Sequence, residues 1–497
     1  MRVRHLVGLI KDALEVDSQK TRPSADSEAQ VGLAGKMGLI SLMMTVLAFS
    51  APVLVVAGFV PFVIGFAGAT APVAYIIAMV ILLTFAVGFT TMSKHVTNPG
   101  AFYSYICKGL GKQVGLGSCF VAIGAYLGMS IGTYIFFGYI ANDLISRIVG
   151  RALDHVYLFA LVSIAVVGVL GYLRIELSAR VLTFAMCGEI IIVSIFDICV
   201  LSSGGASGVS FQPFSFSEFL QGSFGLPIVF AATCYLGFEA TAVFRDEVKN
   251  PERTVPVAAY LCVALIGVFF VVSTWALVLA YGAENAQAAA NENFETLFVT
   301  AVGRYVGSVG ENAVLVLIVS SAFACVLAVQ NILSRYIYSL GVDGVVSPLL
   351  GRVHVKNGSP YLSSILVTVI SFSIVVGWYF SEMDIAASYA LLAGTGGFAV
   401  LILMCLTSIS VVLFFMRNPG LSEASVVRRL WAPIAGALML GYIIFNALTN
   451  FSHIVGDAGI KSTLALAVIV GLFVIGYLVA SVYKKSKPTV YAKIGRQ

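Results

Sequence analysis

Twelve runs of apolar residues, each long enough to cross a bilayer, dominate this chain of 497 residues. They lie at about 36–64, 70–93, 114–146, 156–173, 179–201, 222–244, 255–281, 310–338, 360–380, 384–416, 430–450 and 462–483. A helix needs about 20 apolar residues to span the hydrocarbon core. In lipid every backbone polar group must be satisfied internally, which leaves helices or a closed barrel, and runs of this length are helical. The composition agrees: 59% of the residues are apolar and 11% charged, against about 45–50% and about 25% in soluble domains. Soluble enzymes, disordered chains and disulfide-stapled secreted domains are excluded. The expected fold is an all-α polytopic membrane protein of twelve transmembrane helices.

Twelve crossings put both termini on one side. With the N-terminus inside, 25 of the 29 Lys and Arg fall in inside segments, and the positive-inside rule then makes both termini cytoplasmic. Residues 1–35 are polar and charged and contain no apolar signal core, so the first hydrophobic helix is expected to direct insertion. This tail reads as a charged tether at the inner leaflet, and 484–497 as a second cytoplasmic tail. No basic stripe interleaves with exposed aromatics, so no nucleic-acid partner is expected. The partners expected are the lipid bilayer and a small-molecule substrate. Oligomeric state is not legible, because apolar outer faces look alike against lipid or protein.

Two spans carry interruptions. The first contains Ser50, Ala51 and Pro52, then Gly58 and Pro61. The sixth contains Gly225 and Pro227, then the run Thr233, Cys234, Tyr235, Leu236, Gly237, Phe238, Glu239. Proline removes a donor and glycine relaxes the backbone, so both favour local unwinding. Interruptions in corresponding spans of two halves point to an inverted-repeat transporter with its binding site at the breaks.

Charges deep in the bilayer are the second signal, each costing about 2.5–3.5 kcal/mol on an insertion scale. Glu189 lies eleven residues beyond Ser178, roughly 16 Å along a helix rising about 1.5 Å per residue. It suits proton or cation coupling, with a carboxyl locked in a structural hydrogen bond as the competing role. Glu239, after the sixth-span break, better suits a structural or gating role, and Asp197 sits nearer the outer interface. Small polar residues such as Ser320, Ser321 and Asn331 are commonly helix-packing glue, and Tyr126 is read first as core.

No catalytic constellation is visible, and neither a metal site nor a cofactor is expected. The eight cysteines are scattered and read as packing residues, the five histidines fall in loops, and no phosphate-binding GxxxxGK[ST] loop occurs. A membrane-embedded enzyme would need a polar cluster that is not apparent.

The strongest motif is GFEA at 237–240 followed by VKNPERTVP at 248–256. A second, VTNPGAFYSY, covers 96–105, and a third, NILSRYIYSLGVDG, covers 331–344. These segments resemble the amino acid–polyamine–organocation permeases across about residues 36–416. The resemblance implies a LeuT-like core of two inverted five-helix repeats with discontinuous helices 1 and 6. The repeats would be 36–201 and 222–416, with peripheral helices over 427–483. It also implies a substrate held by unwound backbone, lined by Ser50, Ala51, Pro52, Val56, Ala57 and Gly58 on one side. Thr233, Cys234, Tyr235, Leu236 and Gly237 would line the other, with Tyr126 nearby. Arg253, Asn331 and Arg335 fall in its gating or structural segments together with Glu239.

Two departures matter. The first helix reads SAPVLVVAG where many relatives carry a GSG-type triplet. Alignment on Ser178, Ala179, Arg180 and Val181 puts Glu189 where some proton-coupled relatives have lysine. The expected function is therefore secondary import of an amino acid or related amine by alternating access in a bacterial cytoplasmic membrane. Coupling to H⁺ through Glu189 leads, with a leaning towards neutral substrates. The alternatives are Na⁺ symport through Ser320 and Ser321, an amino acid or polyamine exchanger, and a membrane amino acid sensor.

Overall fold

The computed structural model describes residues 37–495 apart from 97–99, 174, 223–224, 294, 355–357, 382, 422–423 and 457–458. The side chains of 175–182 and 185 also lie outside the description. The N-terminal tail, part of the 96–105 motif and the side chains of Ser178 to Val181 therefore fall outside it.

The described chain is helical. Eleven continuous apolar stretches are long enough to cross a membrane, and the first, Leu39–Ser93, runs for 55 residues. It comprises α1 (Leu39–Ser50), α2 (Pro52–Ala67), a 3-10 turn at Gly68–Thr70 and α3 (Ala71–Ser93). Its two ends meet the same segment. Met37 donates its N–H to Glu247 O at 2.8 Å, and Arg245 Nη1 donates to Ser93 O at 2.8 Å. The stretch therefore leaves one end of the bundle and returns to it, making two crossings, so the described residues make twelve crossings, the number read from the sequence.

After α4 (Phe102–Leu110) the next crossings are α5 (Lys112–Val149), α6 (Val156–Leu173) and α7 (Ile175–Ser203). The sixth is α8 (Gly225–Thr233) and the 3-10 turns that follow it, and α9 (Pro251–Tyr281) is the seventh. Two short helices, α10 (Ala286–Glu292) and α11 (Leu297–Tyr305), follow α9. Then come α12 (Ser308–Asp343), α13 (Tyr361–Tyr379), α14 (Ile385–Arg417), α15 (Ala432–Thr449), α16 (Ile460–Ser486) and a terminal turn α17 (Pro488–Lys493).

Burial separates inside from outside. The window over Gly225–Ala242 is 89% buried, whereas those of Val156–Leu173 and Ile460–Ser486 are 22% buried. Leu438, Phe445 and Ile460 project outward from α15 and α16, as lipid-facing side chains do. The long α5 packs along α12, α14 and α16. The interrupted α1–α2 lies against α7, α9 and α12, and α8 lies against α2, α3 and α15, so continuous helices flank both interrupted spans.

One end of the bundle carries the polar ties. Met37 and Val248 form a parallel bridge, with Lys249 N–H donating to Met37 O at 2.9 Å. Arg335 of α12 makes a bidentate pair with Glu247, and its guanidinium lies 4.5 Å from the Phe244 ring centroid. Nearby in sequence, Asp343 accepts from Tyr103 Oη at 2.6 Å and from Gly495 N–H at 3.1 Å.

Candidate substrate and coupling site

The first break follows from Pro52. Its ring fixes φ, lacks an N–H and disfavours a right-handed helical conformation at the residue before it. Ala51 takes φ 42°, ψ 66°, a left-handed conformation that costs an L-residue about 1–2 kcal/mol. α2 then starts with proline at its first position, where that residue is favoured. Gly58 and Pro61, part of the same sequence signal, lie inside the continuous α2.

Three neighbours hold this break. Val53 N–H donates to Glu189 Oε2 at 3.1 Å, and Ser321 Oγ donates to the same oxygen at 2.7 Å. Ser50 Oγ donates to Leu236 O at 3.1 Å, joining the first break to the second. Cys325 Sγ donates to Phe49 O at 3.4 Å. Glu189 is fully buried, and its Oε1 has no hydrogen-bond partner among the described residues. One carboxylate of α7 thus ties the start of α2 to α12.

The second break begins where α8 stops at Thr233. The N–H groups of Cys234, Tyr235 and Leu236 each turn back to the carbonyl three residues earlier. Gly237 follows at φ 119°, open to glycine and costly for any other residue. A Cβ there would lie 2.4 Å from Phe49 Cδ1, so glycine also lets the two breaks approach. Glu239 is fully buried, accepting from Tyr126 Oη at 2.6 Å on Oε1 and from Gly237 N–H at 2.8 Å on Oε2. Tyr126 also meets Phe49 edge-on, with ring centroids 5.9 Å apart.

The other sequence-predicted residues sit as follows. Val56 and Ala57 are buried, while a Cβ at Gly58 would meet nothing within 4 Å. Thr233 Oγ1 donates to Phe230 O at 2.7 Å, and its methyl would lie 3.2 Å from a Cβ placed on Gly397 of α14. Tyr235 Oη donates to Tyr75 O at 2.7 Å, and Cys234 Sγ lies 3.7 Å from Tyr75 Oη. Ser320 Oγ donates within its own helix to Leu317 O, so Ser321 alone of the pair reaches Glu189. Asn331 O accepts from Arg335 Nη1 at 2.7 Å, and Arg253 is exposed in the first turn of α9. Asp197 accepts from Ser273 Oγ at 3.0 Å.

Sequence reasoning missed Glu247 and Asp343. Glu247 falls in a charged triplet with Arg245 and Asp246 and reads as a solvated loop. Its signal is the buried Arg335 of α12, which requires a counter-charge. A cavity of 310 Å³ lies between α5, α14 and α16, lined by Gly124, Gly128, Leu392, Thr395, Gly396 and Leu472 among others. None of the sequence-predicted binding residues lines it. Among the described residues no group of three His, Cys, Asp or Glu is placed to hold a metal ion.

A multi-pass helical bundle with two interrupted spans sharing one buried polar centre defines a membrane transport protein. The chain belongs to the amino acid permease family, whose model matches residues 38–475; it is a transporter and not an enzyme. It is 23% identical over 451 residues to the low-affinity putrescine importer PlaP of Escherichia coli (strain K12), covering 86% of this chain and 92% of that protein. It is 26% identical over 290 residues to an uncharacterized transporter of Mycobacterium tuberculosis, covering 50% and 58%. To the cystine/glutamate transporter of Homo sapiens it is 22% identical over 285 residues, covering 55% and 54%.

Proposed function

We propose that this permease is a secondary active importer of an amino acid or amine, that it works by alternating access, and that protonation of Glu189 couples it to H⁺. Substrate binds at the two breaks, between Ser50–Gly58 and Thr233–Gly237, in a core of two inverted five-span repeats. The protein lies in a bacterial cytoplasmic membrane with both termini inside. The relatives named as a putrescine importer and a cystine/glutamate transporter support the substrate range.

The observation that carries the reading is the convergence of Val53 N–H and the Ser321 hydroxyl on one oxygen of buried Glu189. A charged acceptor makes hydrogen bonds about twice as strong as a neutral one, and the start of a helix favours negative charge. Ionised Glu189 therefore clamps α2 to α12. A proton removes the charge, weakens both bonds and lets the interrupted helix move against its neighbours. The ionised clamp is one state of the cycle and the neutral, loosened contact the other.

The test is uptake by proteoliposomes under an inside-alkaline pH gradient without sodium. Accumulation that collapses with a protonophore supports H⁺ coupling. Accumulation that appears only when sodium is added overturns it and moves coupling to a sodium site beside Ser321.

A further inference from the structure

α5 and α14 form a close-packed wall. A Cβ on Gly396 would stand 2.6 Å from Ala125 O, and one on Gly132 would stand 3.2 Å from Leu392 Cβ. α16 covers this wall and is tight against α5 over its later turns. There a Cβ on Gly476 would stand 2.7 Å from Leu116 O, and one on Gly117 would stand 2.8 Å from Phe473 O. A Cβ on Gly124 would meet Leu472 Cδ1 at 2.3 Å, so Leu472 closes the gap at that level. Beyond it the helices part. A Cβ on Gly128, one turn further along α5, would meet Leu392 O of α14 at 3.4 Å and, among the described residues, no atom of α16 within 4 Å. The 310 Å³ cavity is the slot opened by this splay.

The slot is as deep as one leaflet. Lys461 and Leu472 both line it and are eleven residues apart, roughly 16 Å along the helix and half of a hydrocarbon core about 30 Å thick. Its open end lies away from the polar ties. The last turns of α16 reach Val345 through Tyr483 Oη and lead to Gly495 at Asp343, beyond Arg335 on α12, so α16 starts at the opposite end of the bundle. Spread over the depth, 310 Å³ gives a section of about 19 Å², against roughly 80 Å² for a helix about 10 Å across. A hydrocarbon chain suits that section, and a helix of a second copy does not.

The lining selects the occupant further. Leu464 and Val468 are 62% and 50% exposed, so the slot opens sideways where lipid tails lie. The Thr395 hydroxyl is turned to Leu391 O of its own helix. Among the described lining residues Lys461 alone carries a charge, and it is exposed at the mouth. Walls this far apart make their full dispersion contacts only with a chain between them, and a lysine near the membrane surface favours anionic lipid about five-fold.

We propose that this slot holds one acyl chain of an anionic phospholipid, with the headgroup at Lys461. The lipid comes from the leaflet at that end, the outer one in the orientation given above. The inference stands apart from the coupling and substrate readings. Its walls nonetheless reach the buried centre: Ala125 and Gly396 line the slot, and the next residues, Tyr126 and Gly397, meet Glu239 and Thr233.

The experiment reconstitutes the full chain in phosphatidylcholine nanodiscs with a small fraction of phosphatidylglycerol that carries a photoreactive diazirine midway along one acyl chain. Labelled positions are mapped by peptide mass spectrometry. Labelling is expected on the slot walls around Gly128, Leu392 and Val468, and on the outward face of α15 around Leu438 and Phe445. Unlabelled phosphatidylglycerol should suppress the wall signal about five-fold more effectively than added phosphatidylcholine and should spare that advantage at α15 none. Lys461→Gln should abolish the advantage, and Thr395→Leu, which fills the slot, should remove the wall signal while α15 stays labelled. Wall labelling that both lipids suppress equally is ordinary bilayer contact and overturns the proposal. So does an advantage that survives Lys461→Gln, or unlabelled walls in a chain whose copies cross-link through α16.

Discussion

Glu189 and Val53 meet across 136 residues of sequence, carboxylate Oε2 to backbone N–H, at 3.1 Å. The contact makes a side chain of α7 the cap of a half-helix belonging to another span. Capping by a charge in place of Ser or Asp at the N-cap position makes the start of α2 sensitive to whether that charge is present.

Glu189→Gln is expected to fold, because an amide oxygen still accepts from Val53 and Ser321. Accumulation driven by a pH gradient should fall about ten-fold or more, while downhill exchange persists. Glu189→Leu leaves two buried donors unsatisfied, each costing about 1–3 kcal/mol, and its melting temperature should drop well below that of the Gln variant. Parallel thermal denaturation and counterflow assays separate the two effects.

Tyr126→Phe removes the hydroxyl that donates to Glu239 at 2.6 Å. A hydrogen bond to a charged group contributes about 1.5–3 kcal/mol, so the variant should lose stability of that order. Glu239→Gln keeps an acceptor and should be milder. Thermal unfolding of both in the same detergent reads the order, and a Gln variant less stable than Tyr126→Phe would contradict it.

Gly237→Ala should abolish uptake. The added Cβ meets Phe49 at 2.4 Å and the residue is held at φ 119°. Shortening Phe49 to Ala clears the clash and leaves the backbone cost, so the double variant is expected to remain impaired. Uptake and melting temperature of single and double variants check this.

Arg335→Ala strands Glu247 as an uncompensated buried charge and should destabilise by about 3–5 kcal/mol. Glu247→Gln keeps shape and loses charge. Its expected effect is a more open tied end, seen as faster labelling of a cysteine placed at Ser93 or Met37 by a thiol reagent.

His95 gives a pH-dependent prediction outside the membrane. Partial burial, then Lys94 and Lys108, lower its pKa from the ordinary 6.5, so the folded chain holds that proton less tightly than the unfolded one. Its contribution to stability is present above about pH 6.5 and is lost as pH falls through the lowered folded value. His95→Gln should flatten that part of the stability–pH curve.

The spans and the two breaks were legible because their causes are local. Apolar length marks a crossing, Pro52 fixes its own φ, and Gly237 admits a backbone conformation that other residues adopt only at a cost. The position of the first break was narrower than its signal, since Gly58 and Pro61 are absorbed in α2. Glu189 and Ser321 were each singled out, but for rival roles, one proton and one sodium. Only the fold shows that they touch, because α7 and α12 are brought together by packing over a separation that no spacing rule reaches. The Glu247–Arg335 pair stayed hidden for the same reason: its acidic partner lies in a turn that looks solvated until α12 covers it.

The bridge between Met37 and the segment after Glu247 gives the molecule a built-in reporter. Met37 N–H and Lys249 N–H are held by two rungs of a miniature ladder at the tied end, and any motion that parts the first span from that segment must break both. Their amide deuteration rates would then track opening in unlabelled, unmutated protein. Substrate or an acid shift that moves the equilibrium would appear as a paired change in protection at two positions 212 residues apart in sequence.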